Sequence, residues 1–304
     1  MNKSFTLSCE STVDLPWAYV QGRGIPVIFY SYIVGGKEYP DDMGRNPDFL
    51  PNFYAQLEQE IPKTSQLNVM QYVDFFEPLV KEGDLLHIAF GSGMTNSVAN
   101  AFQAAALLQE RYPHRKITVI DSYCSSSGYG LLVDYAADLR DAGLPMEDVA
   151  AWVTENRKRV HHQFFSTDLK YYRRSGRMSG AAATLGAILN ICPIMRLNDA
   201  GKIIAYDKVR GKKAAIARTI QEMKAHALSE SGYGEKCFVC HSNCLGDAEQ
   251  LAAALRENFP NIRGEIRICD IGTIIASHCG PGTVAVFFLG DERAPGTGGA
   301  GNKA

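Results

Sequence analysis

Residues 89–97 read AFGSGMTNS, two glycines and three hydroxyls between an apolar run (Asp84 to Ile88) and an alanine-rich stretch. A strand, a glycine turn and a helix start leave free N–H groups and the positive end of a helix dipole facing one place, which is chemistry for an anion. As a dinucleotide fingerprint the loop is incomplete. Asn96 stands where the third glycine belongs, and Asp121, the acid ending the next strand, comes later than the usual ~20 residues. A polyphosphate loop is excluded, because no Gly-Lys-Ser/Thr follows. The plain alternative is a tight turn with Thr95 as the helix N-cap. Ser92, Thr95 and Ser97 suit a small anion such as a carboxylate.

Four other groups carry candidate chemistry. Cys237-Phe-Val-Cys240-His241, with Cys244 behind it, has the form of a haem-attachment or zinc motif. Its flanks read as a strand, where residues three apart face opposite ways, so buried thiols acting as small hydrophobes are the better reading and no metal is expected. His278, in Ser277-His-Cys-Gly-Pro-Gly282, reads as part of a glycine-rich turn that could reach a cleft; with Ser92 or Thr95 it could form a hydrolase pair, though no G-x-S-x-G elbow occurs. His161-His162 have no carboxylate partner nearby in sequence and receive no role. The basic groups around Arg177 and Arg210 read either as a solvated surface or as a grip for a phosphate or acidic partner.

The elements that must position these residues follow from periodicity. Strands are expected at 4–9, 26–30, 85–90 and 117–120, with a Gly35-Gly36 hairpin and helices over 46–59, 69–80, 96–110, 128–140 and on to about 160. That alternation predicts an α/β fold: a mostly parallel sheet with helices on both faces. Beyond residue 160 the pattern becomes α+β: a strand or strand entrance over 161–170, a small-residue helix over 179–191, a hairpin over 194–209, helices over 212–229 and 247–258, and strands at 236–241, 264–270 and 283–289. The expected domains are 1–160 and 161–290, with a flexible Gly/Ala/Pro-rich tail over 291–304.

Composition narrows the function. The chain has 304 residues, 46% of them hydrophobic, and a formal net charge of −2, which gives no support to nucleic-acid binding. No apolar run approaches the ~18 residues of a membrane span, and the first residues lack a signal-peptide core, so a cytoplasmic protein with eight reduced cysteines is expected.

Taken together, the motifs resemble those of the DegV family, the bacterial fatty acid-binding proteins that serve fatty acid kinase. Glu10-Ser-Thr-Val-Asp-Leu15 is similar to its opening turn, with Glu10 in place of the usual aspartate. Thr64-Ser-Gln66 is similar to its Thr-Ser-Gln element and 91–97 to its glycine/serine loop, with Thr95 where a serine is common. Tyr172 to Ser179, Cys192-Pro-Ile194, Arg210 and 277–282 complete the set in order. The resemblance implies two domains with a long-chain fatty acid between them, a carrier rather than an enzyme, and no cofactor. It implies a carboxylate site at Thr64, Ser65, Thr95 and His278, with Ser11, Ser92 and Ser97 as further contacts. Arg177 and Arg210 would dock the fatty acid kinase or its phosphate product, with transient contact at a membrane surface. Burying an acyl chain of roughly 16 carbons contributes around 10 kcal/mol before entropic losses. The apolar run Ala181 to Leu189 is a candidate wall for the tail.

Overall fold

The computed structural model describes residues 5–177 and 190–296. The first half of the chain runs β1 (Phe5–Glu10), α1 (Trp17–Gly22), β2 (Val27–Ile28), β3 (Ser31–Val34), β4 (Lys37–Pro40), α2 (Phe49–Leu57), β5 (Lys63–Thr64), α3 (Val69–Glu82), β6 (Asp84–Ala89), α4 (Ser97–Arg111), β7 (Ile117–Asp121), α5 (Ser126–Asp141) and α6 (Met146–Asn156). The second half runs β8 (Val160–Ser166), α7 (Lys170–Ser175), β9 (Ile191–Leu197), β10 (Ile203–Arg210), α8 (Lys212–His226), β11 (Phe238–His241), α9 (Leu245–Asn258), β12 (Arg267–Asp270), α10 (Thr273–Cys279) and β13 (Thr283–Leu289).

The described residues form three sheets. A parallel sheet of four strands has the order β2-β1-β6-β7. Its strands are joined through helices, as parallel neighbours require. Helices α3 and α4 pack together against β6 and β7, while α5 and α6 pack together against β1 and β7. A mixed sheet of six strands, β10-β9-β8-β13-β11-β12, is antiparallel except for its β11–β12 edge. A small antiparallel sheet, β4-β3-β5, turns through Gly35 and Gly36, whose φ values of 58° and 71° are those that glycine adopts without penalty.

Helix α5 joins the two large sheets. It contacts β1 on one side and β8, β11 and β13 on the other. A helix facing two layers must be apolar or small nearly all round, and every residue from Ser126 to Ala137 is buried. Its glycines make the fit. A Cβ on Gly128 would come within 2.4 Å of the His162 ring, and one on Gly130 within 2.5 Å of the Val13 carbonyl.

Glu10, at the end of β1, is fully buried. Its carboxylate accepts from Tyr72 Oη at 2.6 Å, Tyr30 Oη at 3.1 Å and the Phe90 N–H at 3.1 Å, with His87 Nε2 3.4 Å away. A buried carboxylate is tolerable only with such partners. The Glu10 side chain thus reaches the residue immediately before Gly91 and fixes where the glycine loop begins.

Several expectations change. His278, expected in a glycine-rich turn over 277–282, lies instead in the two-turn helix α10 (Thr273–Cys279). The turn signal belongs to its exit, where Gly280 has φ 66° and a Cβ would strike the Tyr171 ring at 2.0 Å. The basic cluster contains α7, and Ile191 begins a strand rather than ending a helix. The helix expected over 179–191, including the Ala181–Leu189 wall, otherwise lies outside the described residues. The start of the expected tail is packed. The Arg293 guanidinium is buried and donates to the carbonyls of Val160 at 3.1 Å and Tyr123 at 2.8 Å. Among the described residues no helix is long and apolar enough to cross a membrane.

Candidate functional site

A cavity opens between the parallel and mixed sheets, roofed by the small sheet and α10. Its walls are mainly apolar: Phe90 from the end of β6, Met94 from the glycine loop, Phe164 from β8, Leu197 from β9, and Ile274 and Ile275 from α10. Polar groups enter from Thr64, Ser65, Gln66, Thr95, Arg177 and His278. A greasy enclosure with a few convergent polar groups is the usual form of a small-molecule site.

Thr64, on β5, is set by pairing opposite Tyr32 of β3, and the Ser65 N–H donates to the Ser31 carbonyl at 3.0 Å. His278 comes from the last turn of α10. Thr64 Oγ1 and His278 Nε2 hydrogen-bond at 2.8 Å, while His278 Nδ1 is buried without a partner. Burial, with the charge of Arg177 behind it, pushes the His278 imidazole down to about 4, so it is neutral at pH 7. The 214-residue separation of this pair shows why only the tertiary fold assembles it.

Thr95 and Ser97 form a second cluster. The Leu67 N–H donates to Ser97 Oγ and the Ser97 N–H to Thr95 Oγ1, each at 3.2 Å, and the two hydroxyls lie 3.0 Å apart. Thr95 therefore caps the start of α4 from one residue outside the geometric N-cap, Asn96. When Ser97 gives its proton to Thr95, the Thr95 proton is left for a ligand.

The glycines of the loop have another purpose. A Cβ on Gly91 would lie 2.7 Å from the Cys124 carbonyl oxygen, and one on Gly93 would lie 2.3 Å from that of Gly201, at the tip of the β9–β10 hairpin. The backbone space a pyrophosphate would need is filled by backbone. Asp121, the acid a ribose would need, instead accepts the N–H groups of Ser92 and Tyr123, both at 3.0 Å. The dinucleotide reading loses its two sequence supports.

Thr64, Ser65, Thr95, Arg177 and His278 thus line one cavity. An adjoining cleft shares Gln66, Met94, Thr95 and Arg177 with it and adds Ser92, Asn96 and Lys202. Ser97 is buried beneath Thr95. Ser11 lies elsewhere: it accepts the Tyr30 N–H at 3.2 Å and faces a separate cleft with Asp14, Asp41 and Asp270. Arg210 is exposed at the end of β10 remote from Ile203, the residue of that strand that lines the cavity. Cys237 and Cys240 are buried free thiols on β11 and its entry, as their strand flanks predicted. Burial pushes the Cys240 thiol up. Sequence reasoning missed Ser125, Ser126 and His162. The signal for His162 was its two-residue spacing from Phe164 on β8, which puts both on one face.

Comparison with known proteins identifies a family. Residues 4–291 match the family described as "Uncharacterised protein, DegV family". A DegV domain-containing protein of Clostridium perfringens is 35% identical, covering 96% of this chain and all of its own length. Two solved structures are similar throughout. The fatty acid binding DegV family protein from Streptococcus agalactiae has a TM-score of 0.79 and 27% identity, covering 94% of this chain and 99% of that one. A DegV family protein from Thermus thermophilus, described by its fatty acid binding, has a TM-score of 0.81 and 26% identity, also covering 94% and 99%.

Proposed function

The chain belongs to the DegV family, and from that premise we propose that it is a carrier of a long-chain fatty acid, not an enzyme. The carrying observation is the composition of the cavity, apolar walls with hydroxyl and imidazole groups gathered from Thr64, Thr95 and His278. The binding described for the Streptococcus agalactiae and Thermus thermophilus proteins supports it. The carboxylate accepts from Thr95 and from one member of the Thr64–His278 pair: the Thr64 hydroxyl when His278 Nε2–H donates to Thr64, or His278 Nδ1–H when Thr64 donates to Nε2, with Ser65 alongside. Arg177, at the junction of cavity and outer cleft, supplies the positive charge. The acyl tail runs among Phe164, Leu197, Ile274 and their neighbours, held by its own removal from water at about 0.8 kcal/mol per CH₂. In this reading the ligand lies between an N-terminal domain of residues 1–160 and a C-terminal one of 161–290.

The finer part of the proposal is presentation to a fatty acid kinase. The outer cleft of Ser92, Asn96, Arg177 and Lys202 adjoins the carboxylate end, where a phosphoryl donor would approach. Arg210 stands apart from the cavity and serves docking rather than lipid contact. The test is organic extraction of the purified protein with mass spectrometry, followed by titration with palmitate. Recovery or uptake of one fatty acid per chain is expected. No lipid and no uptake would refute the carrier reading, and labelling by a fluorophosphonate probe would favour the hydrolase instead.

A further inference from the structure

His161 precedes the cavity-lining His162 on β8, so its ring leaves the opposite face of the sheet. There it stacks between Phe288, at 5.0 Å, and His226, at 5.1 Å. His226 is the last residue of α8, and Asp291 follows the end of β13. Gly290 allows the approach, because a Cβ there would lie 2.2 Å from the His226 carbonyl oxygen and 2.7 Å from the His161 ring. The backbone holds it: the Asp291 N–H donates to the His226 carbonyl at 2.9 Å and the Gly290 N–H to the Arg159 carbonyl at 2.8 Å.

Three ligand atoms converge. His161 Nε2 lies 2.9 Å from Asp291 Oδ1, and His226 Nδ1 lies 3.1 Å from Asp291 Oδ2. The donor atoms of all three residues fall within 4.8 Å of one another. Zinc bonds of ~2.0–2.2 Å in a tetrahedron require ligand atoms roughly 3.3 Å apart; the His226 ring, stacked on His161 at 21°, must turn to bring its lone pair to the shared ion. The other His226 nitrogen, Nε2, is 3.7 Å from Glu222 Oε2, and Arg218 donates to the second Glu222 oxygen. A carboxylate behind a ligating histidine is the common outer shell of zinc sites. Access is from the Asp291 side, which is 59% exposed, whereas His161 is 5% exposed. Burial pushes His161 down to about 4, leaving it neutral at pH 7. His161 Nε2 also lies 3.0 Å from the Asp291 carbonyl, an acceptor only, so in the free protein it carries the ring proton; zinc binding moves that proton to Nδ1 and frees the Nε2 lone pair.

We propose that His161 Nε2, His226 Nδ1 and an Asp291 carboxylate oxygen form a zinc site with its fourth position open to water. The site lies across the mixed sheet from the lipid cavity. Zinc there would tie the exit of β13 to the end of α8 and to β8, steadying the sheet from outside.

The test uses the full-length, metal-depleted protein titrated with Co²⁺ and then Zn²⁺. One equivalent of Co²⁺ is expected to give the visible absorption of a four-coordinate site, to be displaced by Zn²⁺, and Zn²⁺ is expected to raise Tm. His226→Ala and Asp291→Asn should each weaken Zn²⁺ binding more than tenfold, and Glu222→Gln by about tenfold. All three should keep fatty acid binding, which confirms that they fold. Absence of stoichiometric binding would overturn the proposal. So would unchanged affinity in both ligand variants, which would place the metal on the thiols instead.

Discussion

Thr95→Ala separates two roles of one hydroxyl. In the free protein Thr95 Oγ1 accepts the Ser97 N–H at 3.2 Å at the start of α4. Losing such a cap costs about 0.5–2 kcal/mol of stability. In the proposed complex, the same oxygen gives its proton to the buried carboxylate. Leaving that acceptor unpaired costs a further ~1–3 kcal/mol, a weakening of roughly 5- to 150-fold in Kd. Isothermal titration with palmitate measures the second effect and urea unfolding of the delipidated protein the first. Thr95→Ser keeps the hydroxyl and should stay near wild type in both. A Thr95→Ala protein that loses stability yet binds palmitate within about twofold of wild type would reduce Thr95 to a cap and remove it from the head-group site.

The legible parts of this protein are those whose signals are local. The strand Thr283–Leu289 and the Gly35-Gly36 hairpin could be read because every residue obeys its own element's period or turn chemistry. The four residues assigned to the carboxylate, Thr64, Ser65, Thr95 and His278, do line one cavity, and Arg177, assigned to docking, lines it too, but resemblance rather than periodicity selected them. Glycine was the most misleading letter. Gly91 and Gly93 read as an anion cradle, whereas their missing side chains admit Cys124 and the Gly201 hairpin tip. No local rule encodes partners that distant in the chain. For the same reason His161 looked partnerless: Asp291 lies 130 residues on and is brought in only when β13 pairs with β8. Ser11 shows the converse limit, since a residue of the opening motif that the resemblance placed among the head-group contacts ends in a different cleft.

Other outcomes follow from the same geometry. Thr64→Val keeps the branched shape but strands His278 Nε2, so palmitate Kd measured by titration should rise about tenfold; no change would remove Thr64 from the site. Arg210→Ala should leave palmitate affinity unchanged while lowering acyl-phosphate formation in a coupled fatty acid kinase assay, and loss of lipid binding would contradict its docking role. The pH dependence of stability tests the state of His278. Its folded pKa of about 4 lies below the ~6.5 of an unfolded histidine. Between those values the unfolded chain binds a proton that the folded one refuses. This contribution is therefore fully present above about pH 6.5 and is lost as pH falls toward 4, by at most roughly 3 kcal/mol. Urea unfolding of the delipidated protein at several pH values between those limits should show His278→Gln losing less stability on acidification than wild type. Parallel curves for the two proteins would mean that His278 is as readily protonated folded as unfolded, which would refute the burial of a neutral imidazole in the cavity.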